Sequence, residues 1–304
     1  MNSLLPGRST ARSPMQVRSY AKINWTLDVL FKREDGYHEL QTIYQTVSIH
    51  DSLTITETGG TIETVCNDPR VPCDETNLAG RAASALRNQS RTSKGARIEI
   101  QKRVPVAAGL GGGSSNAAAT LLALVKLWQV AIDDRDLVRI AASLGSDVPF
   151  FLTGGTAIGV GRGEEVYPVD QIDCKHLLLV NPGFEVSTRD AYEKLSRLTR
   201  SGAASNIPFT LLAAKGISGL PLVARNDLEE VVLTAHPEIA EVKSRLLSLG
   251  ARHAQMSGSG ATVFGVFDNS QMIERAESEV RAAGCWAQRV RTVDAREYKA
   301  TIFQ

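Results

Sequence analysis

Hydrophobic and polar residues alternate along the first half of the chain in a way that is typical of strands. Apolar side chains occupy every second position toward the end of 16–32, which predicts a strand with one face on the core. The segments 41–49, 52–57 and 96–101 show comparable patterns. The first half is therefore expected to contain a sheet.

Apolar positions three and four residues apart predict helices in both halves. The predicted helices are 77–86, a long run that ends at Val130, 132–145, a helix from Asp190, 227–234, 237–249 and 270–283. Strands are predicted between the later helices, at 177–180, 254–256, 262–267 and 286–293. This repeated order indicates a split βαβ layer, with helices on one side of an antiparallel sheet.

Three other segments are not assigned to the regular helices and strands above. Asp147 stands directly before an apolar run, 148–151, that is predicted to be a strand. The glycine-rich segment 154–163 alternates and predicts a tight hairpin with close backbone packing. Small and polar residues at 201–219 predict a mobile loop.

Composition narrows the class of protein. A chain of 304 residues with 43% apolar content has room for two modest domains or one large one. Its 34 basic and 33 acidic side chains leave a net charge of +1, which makes a nucleic-acid partner unexpected. There is no apolar run of about twenty residues, the length that a membrane span needs.

The cysteines and the N-terminal residues point to a cytoplasmic protein. Four dispersed cysteines without Cys-x-x-Cys spacing argue against a zinc site and a disulfide framework, and favour reduced thiols. Residues 1–15 are rich in serine and arginine and lack acids. We expect a disordered tail there, or an ancestral start at Met15, in preference to an organelle transit peptide.

Candidate chemistry is concentrated in one stretch, 105–119, where four glycines occur within five positions. It lies between a predicted strand and a predicted helix. Glycines allow positive φ and close approach to a ligand, and unpaired N–H groups at a helix N-terminus attract phosphate. The stretch lacks the lysine of a Walker A loop and the third glycine of a dinucleotide fingerprint. A phosphate loop is predicted, with a ligand-free glycine turn as the alternative.

This stretch resembles the second motif of the GHMP kinases, small-molecule kinases whose pattern there is Pro-x-x-x-Gly-Leu-Gly-Ser-Ser-Ala. The segment 19–24 is similar to their first motif, Pro-Ala-Lys-Ile-Asn, with Tyr20 in place of proline. The segment 257–261, Ser-Gly-Ser-Gly-Ala, resembles the third motif, a glycine hairpin that lies against the phosphate loop. These motifs occur in the family's order across nearly the whole chain.

The resemblance implies an α+β fold with two domains and an active site in the cleft between them. Residues 16–175 would form a ribosomal-S5-like ATP-binding domain. Residues 176–304 would form a ferredoxin-like, split βαβ domain that binds the acceptor substrate. A monomer or a weak homodimer is expected.

The resemblance also assigns site residues. The catalytic pair would be Lys22, which polarises the reacting hydroxyl, and Asp147, from the family's Gly-x-Asp-Val-Pro motif. The nucleotide would contact Asn77, Lys102, Pro105, Gly109, Leu110, Gly111, Gly112, Gly113, Ser114, Ser115 and Asn116. The acceptor would contact Asn24, Tyr37, His38, Thr188, Tyr192, Gly258, Ser259 and Gly260.

Structural alternatives exist for most of these residues. Lys22 is also explained as a solvated strand lysine, and Asp147 as a helix-end acid bonded to backbone. A carboxylate in this position must nevertheless be paired or hydrogen-bonded, and pairing with Lys22 would satisfy both charges. Asn77 is equally a helix cap, and Lys102 equally a surface lysine.

The activity implied is phosphoryl transfer from ATP, with Mg²⁺ neutralising charge and Ser115 as the one candidate ligand. Asp-Gly-Tyr-His at 35–38 is similar to the branch of the family that binds a cytidine group, although a packed turn also explains Tyr37 and His38. The expected acceptor is the 2-hydroxyl of a cytidine-diphosphate-linked sugar alcohol. A kinase for homoserine or a mevalonate, and a nucleotide-binding module without catalysis, are the alternatives.

Overall fold

The structure, a computed structural model, describes residues 13–197 and 224–304. Most of the predicted tail and the predicted loop 201–219 lie outside these residues. Met15, the last residue of the predicted tail, pairs with Ile55. The first strand therefore begins one residue earlier than its pattern predicts.

The first half of the chain forms a six-stranded sheet in the order β3-β4-β2-β5-β6, with β1 paired to β2. The strands are β1 (Met15–Lys32), β2 (His38–Thr58), β3 (Ile62–Cys66), β4 (Gly95–Gln101), β5 (Thr156–Gly161) and β6 (Glu165–Pro168). The predicted strands 41–49 and 52–57 are one strand, β2, whose pairing with β1 shifts between Tyr20 and Ala21. A bulge lies where the pattern predicts a break, because a bulge disrupts alternation without ending the strand.

Helices cover this sheet and carry the glycine loop. They are α1 (Leu78–Ser90), α2 (Gly112–Trp128) and α3 (Asp134–Leu144). Asn77 caps α1 by accepting a hydrogen bond from the backbone N–H of Ala79, as its sequence position predicts. The helix α2 is apolar on most of its circumference because it packs against both the sheet and α1.

The predicted strand at 148–151 is wrong. A 3₁₀ turn, Pro149–Leu152, follows Asp147. Phe150 and Phe151 are both fully buried, and the N–H of Phe151 donates to the carbonyl of Val148, three residues back, as in a 3₁₀ turn. The turn begins with the N–H of Val148 donating to the carbonyl of Gly145.

The second half forms a four-stranded antiparallel sheet in the order β10-β7-β9-β8. The strands are β7 (Leu177–Asn181), β8 (His253–Met256), β9 (Val263–Val266) and β10 (Trp286–Val290). The helices are α4 (Thr188–Arg197), α5 (Glu229–Ala235), α6 (Pro237–Ser248) and α7 (Ser270–Ala282). The split βαβ prediction is confirmed.

The two faces of the second sheet pack against different partners. Leu178 and Val180 of β7 share a core with the helices α6 and α7. Leu177 and Leu179, which point to the opposite face, share a core with Trp25 of β1. The first sheet thus covers the face that the helices leave open, and β1 lies at the junction of the two halves.

The end of the chain returns to the first half. A helix that the pattern does not predict, α8 (Ala295–Thr301), places Tyr298 directly against Gly154, where a Cβ would lie 2.4 Å from the tyrosine ring. Phe303 forms a bridge to Val17 of β1. Residues 295–304 therefore pack with the first domain, although the range 176–304 assigns them to the second.

Candidate active site

A cleft of about 1350 Å³ opens between the two halves, beside the N-terminus of α2. Most of the predicted site residues line it. They are Lys22, Asn24, Tyr37, His38, Asn77, Lys102, Pro105, Gly109, Gly111, Gly112, Gly113, Ser114, Asn116, Asp147, Thr188, Tyr192, Gly258 and Ser259. Three predicted residues, Leu110, Ser115 and Gly260, are not among the residues that line it.

The glycine loop has a shape that only glycine permits at two positions. Gly109 and Gly111 have φ angles of 75° and 68°, which side chains with a Cβ rarely adopt. A Cβ on Gly109 would also lie 2.0 Å from the carbonyl oxygen of Ser257. Gly111 is the N-cap of α2 and contributes no side-chain cap, so the first N–H groups of the helix have no side-chain partner there.

The packing of these three residues explains why they do not line the cleft. The Ser115 side chain is buried, and its Oγ accepts a hydrogen bond of 2.8 Å from Ser19. Leu110 is buried in the core between the two halves. Gly260 packs against Met256, whose sulfur would lie 2.7 Å from a Cβ at that position. Position within the glycine loop does not by itself decide which residues face the cleft.

A buried ion pair that the sequence did not reveal is bonded to the backbone just before the glycine loop. The carboxylate of Asp51 accepts 2.7 Å bonds from Lys102 Nζ and the N–H of Arg103, and a 2.9 Å bond from the N–H of Val104. The side chains of Asp51 and Lys102 are 0% and 5% exposed. The surface-lysine alternative is therefore wrong. Asp51 lies on β2 next to the bulge. The signal for it in the sequence was an acidic residue between two apolar segments.

Lys22 and Asp147 meet at the floor of the cleft. Their Nζ and Oδ2 atoms are 3.3 Å apart, and the side chains are 4% and 27% exposed. Lys22 Nζ also donates a 2.6 Å bond to Asn24 Oδ1, and the Asn24 amide donates to Thr42 Oγ1. The predicted pairing is confirmed, and Lys22 is not a solvated strand lysine.

The other carboxylate oxygen of Asp147 contacts Tyr44, a residue that the sequence did not single out. The Tyr44 hydroxyl donates a 2.9 Å hydrogen bond to Asp147 Oδ1. Burial, together with the neighbouring Asp147 carboxylate, raises the pKa of Tyr44 well above its usual value of about 10. Alternation along β2 marks Tyr44 only as a core residue, so no local signal distinguishes it. We call Lys22, Asn24, Tyr44 and Asp147 the reaction side of the cleft.

Aromatic rings form the opposite side of the cleft. His38 and Tyr192 stack with ring centroids 5.3 Å apart and planes 23° from parallel. Tyr37 is 54% exposed, and the Arg162 guanidinium lies 4.8 Å from its ring centroid. Burial and the charge of Lys32 lower the pKa of His38, which favours the neutral imidazole near pH 7. We call Tyr37, His38 and Tyr192 the turn side.

The turn at 257–260 joins the two halves across the cleft. The Ser257 hydroxyl donates a 2.9 Å bond to the carbonyl of Gly109. The hydroxyls of Ser259 and Thr188 are 2.7 Å apart, which links the turn to α4. The expectation that this turn lies against the phosphate loop is confirmed.

The geometry is that of a two-domain small-molecule kinase, with a glycine loop at a helix N-terminus and a carboxylate–ammonium pair in the same cleft. The models of two family domains match the chain: GHMP kinases N terminal domain over residues 77–155, and GHMP kinases C terminal over residues 213–284. The chain belongs to the GHMP kinase family. Membership of this family implies the use of ATP.

Two similar relatives carry the name of the same kinase. The chain is 43% identical to 4-diphosphocytidyl-2-C-methyl-D-erythritol kinase of Syntrophus aciditrophicus, over 90% of this chain and 97% of the relative. It is 38% identical to the enzyme of the same name from Thermoanaerobacter pseudethanolicus, over 92% and 96%.

Solved structures agree with this assignment. A crystal structure of 4-(cytidine 5'-diphospho)-2C-methyl-D-erythritol kinase matches with a TM-score of 0.75 and 34% identity, over 92% of this chain and all of that one. Homoserine kinase from Cytophaga hutchinsonii matches with a TM-score of 0.72 at 17% identity, over 96% and 98%. The second match, at that identity, shows the fold alone.

Across the described ranges 13–197 and 224–304, the structure contains no helix both long and apolar enough to cross a membrane. In the same ranges, no cluster of three or more histidine, cysteine or acidic side chains is arranged to hold a metal ion.

Proposed function

We propose that this chain transfers the γ-phosphoryl group of ATP to the 2-hydroxyl of 4-diphosphocytidyl-2-C-methyl-D-erythritol, giving the 2-phosphate and ADP. The reaction is a step of the methylerythritol phosphate route to isoprenoid precursors. The observation that carries the proposal is the 3.3 Å Lys22–Asp147 pair. It lies in one cleft with both the glycine loop and the turn side.

In the proposed mechanism, Asp147 accepts the proton of the acceptor's 2-hydroxyl while the oxygen of that hydroxyl attacks the γ-phosphorus of ATP. The bond from that phosphorus to the β,γ-bridging oxygen breaks, and ADP leaves. The Lys22 ammonium stabilises the negative charge on the attacking oxygen and the transferred group. Phosphoryl transfers depend mainly on alignment and electrostatic stabilisation. The hydrogen bond from Lys22 to Asn24 holds the ammonium group in place for these two tasks.

The phosphates of ATP would rest on the glycine loop. The cleft-lining residues 111–114 begin α2 and present N–H groups that have no partner within the helix. Lys102 lines the same part of the cleft, and its Nζ would lie 2.9 Å from a Cβ on Gly112. A side chain at residue 112 would therefore displace the lysine and narrow the phosphate site.

The cytidine group would occupy the turn side. Tyr37 offers an exposed ring face, and Tyr192 carries a hydroxyl beside the stacked His38 ring. A neutral imidazole has one donor and one acceptor nitrogen, which suits the hydrogen-bonding edge of a pyrimidine. Thr188, bonded to Ser259, would contact the sugar alcohol between the two sides.

Magnesium is part of the proposal, and the residues fit a limited role for it. Mg²⁺ in such sites takes most ligands from phosphates and water, with one or two from protein. Asp147 is a partly exposed carboxylate that lines the cleft beside Lys22. Ser115 does not fit, because its hydroxyl is buried against Ser19. When bound, the ion would neutralise phosphate charge.

The proposal includes a cytoplasmic enzyme that works as a monomer or a weak homodimer. The cysteines Cys66, Cys73, Cys174 and Cys285 are all free thiols, which is consistent with a reducing compartment. Size-exclusion chromatography with light scattering would measure the oligomeric state.

An acceptor panel tests the proposed reaction. Purified protein with ATP and magnesium is given the cytidine-diphosphate-linked substrate, homoserine or mevalonate, and ADP release is coupled to NADH oxidation. We expect turnover with the first acceptor and at least a hundredfold lower kcat/KM with the others. Phosphorus NMR of the product should show a new monophosphate on the 2-oxygen. Preference for another acceptor, or ATP binding without any turnover, would contradict the proposal.

A further inference from the structure

Tyr44, on the reaction side of the cleft, makes a hydrogen bond to Asp147 that the proposed mechanism does not use. It lies on β2, opposite Asn24 of β1, and its side chain is buried. Its hydroxyl donates 2.9 Å to Asp147 Oδ1, while Lys22 Nζ is 3.3 Å from Asp147 Oδ2. Each carboxylate oxygen therefore has a different partner.

The Tyr44 ring is held rigidly. It stacks on Phe150 at 4.9 Å with planes 29° from parallel. A Cβ on Gly159 would lie 2.5 Å from ring atom Cε2, and a Cβ on Gly163 would lie 2.4 Å from the hydroxyl oxygen. Two glycines of the hairpin 154–163 thus leave the space that the tyrosine fills. The hydroxyl also lies 3.3 Å from the carbonyl oxygen of Gly163, a longer contact than the one to Asp147.

Asp147, by contrast, has little else to orient it. It lies in the turn between α3 and the 3₁₀ turn, and its side chain is the partly exposed member of the pair with Lys22. A carboxylate at the edge of a cleft samples several rotamers unless its oxygens are bonded. The raised pKa of Tyr44 keeps its hydroxyl protonated, so it remains a donor throughout the working pH range.

We propose that Tyr44 is a positioning residue for phosphoryl transfer. Its hydroxyl fixes Oδ1 of Asp147, so that Oδ2, the oxygen beside Lys22, is presented to the acceptor hydroxyl and takes its proton. This role rests on the proposed function of Asp147. In this role Tyr44 acts through the carboxylate that it holds.

Replacing Tyr44 by phenylalanine tests the role, because it removes one oxygen and keeps the ring in place. We expect kcat to fall about 10- to 150-fold, the usual effect of losing a hydrogen bond to a charged group. The KM values for ATP and acceptor should change less than twofold. Tyr20→Phe is the matched control, since it removes another tyrosine hydroxyl, bonded 2.7 Å from Thr301 Oγ1, outside the cleft. Its kcat should equal that of the wild type.

A double-mutant cycle separates positioning from a structural effect. In an Asp147→Ala background there is no carboxylate to orient, so adding Tyr44→Phe should lower kcat by less than twofold. Melting temperatures of all variants check that the fold is intact. An unchanged kcat in Tyr44→Phe, or an equal loss in both backgrounds, would overturn the positioning role while leaving the proposed function standing. A wild type without turnover on the cytidine acceptor would overturn both.

Discussion

The lysine on the reaction side of the cleft is almost sealed from solvent, whereas the Tyr37 ring on the turn side is open to it. Lys22 is 4% exposed and bonded to Asn24 and Asp147. Tyr37 is 54% exposed. Groups that stabilise charge in a transition state are most effective when they are fixed beforehand in a water-poor site. A ring that binds a base by stacking must instead keep a face open until the ligand covers it.

This difference predicts that changes on the reaction side affect kcat, and that changes on the turn side affect KM. Of the variants that follow, Asp147→Asn and Tyr37→Ala test that division, and Gly109→Ala and His253→Gln test the packing around the cleft and in the second sheet. They are given from the largest expected effect to the smallest.

Asp147→Asn removes the proposed base and retains the shape of the side chain. We expect kcat to fall by ~10²–10⁴, the usual range for loss of a general base, with the dissociation constant for ATP changed less than threefold. Steady-state kinetics and calorimetric ATP titration measure the two quantities. Asp170→Asn, at an exposed position outside the cleft, is the control and should behave as the wild type. Normal turnover in Asp147→Asn would remove the residue from the mechanism.

Gly109→Ala would disrupt the contact between the glycine loop and the turn at 257–260. A Cβ there would lie 2.0 Å from the Ser257 carbonyl, at a φ of 75°. We expect the free energy of unfolding to drop by about 3 kcal/mol, from strain and overpacking together. Gly113→Ala is the control, because Leu78 is 3.6 Å away there and alanine favours a helix. Urea denaturation measures both, and equal stability of the two variants would contradict the expected strain.

Tyr37→Ala changes the turn side alone. Loss of base stacking is expected to raise KM for the cytidine acceptor about tenfold, with kcat and KM for ATP within twofold of wild type. Tyr167→Ala is a close control, since Tyr167 is also 54% exposed but lies outside the cleft. A fall in kcat without a rise in KM would contradict the division between the two sides.

His253, the first residue of β8, tests the packing of the second sheet through the dependence of stability on pH. Its pKa is lowered to about 4, mainly by burial, from about 6.5 in the unfolded chain. The folded state prefers the neutral ring. The contribution of His253 to the free energy of unfolding is therefore complete above pH 6.5 and is lost as pH falls toward 4. Between pH 7 and 5 the wild type should lose about 1 kcal/mol more than His253→Gln. Urea denaturation at both pH values measures the difference, and parallel losses would show that the histidine is not responsible.

Much of the local structure could be predicted from the sequence. The cap at Asn77, the strand–loop–helix order around the glycines and the alternating strands depend on neighbours within about four residues. The Lys22–Asp147 pair could also be anticipated, because a lone carboxylate before an apolar run needs a partner and the family motifs supplied one. The 3₁₀ turn at Pro149–Leu152 could not, since two buried phenylalanines in succession fit more than one local structure.

The sequence by itself determined the periodic elements, the glycine loop and the types of chemical group available, because these follow from backbone preferences over short distances. Only the tertiary structure decided that Tyr44 meets Asp147 across 103 positions, that Ser115 faces inward, and that the last helix closes the first core. These contacts arise when separate surfaces pack together. Their geometry is a property of the packed surfaces, and no single stretch of the chain encodes it.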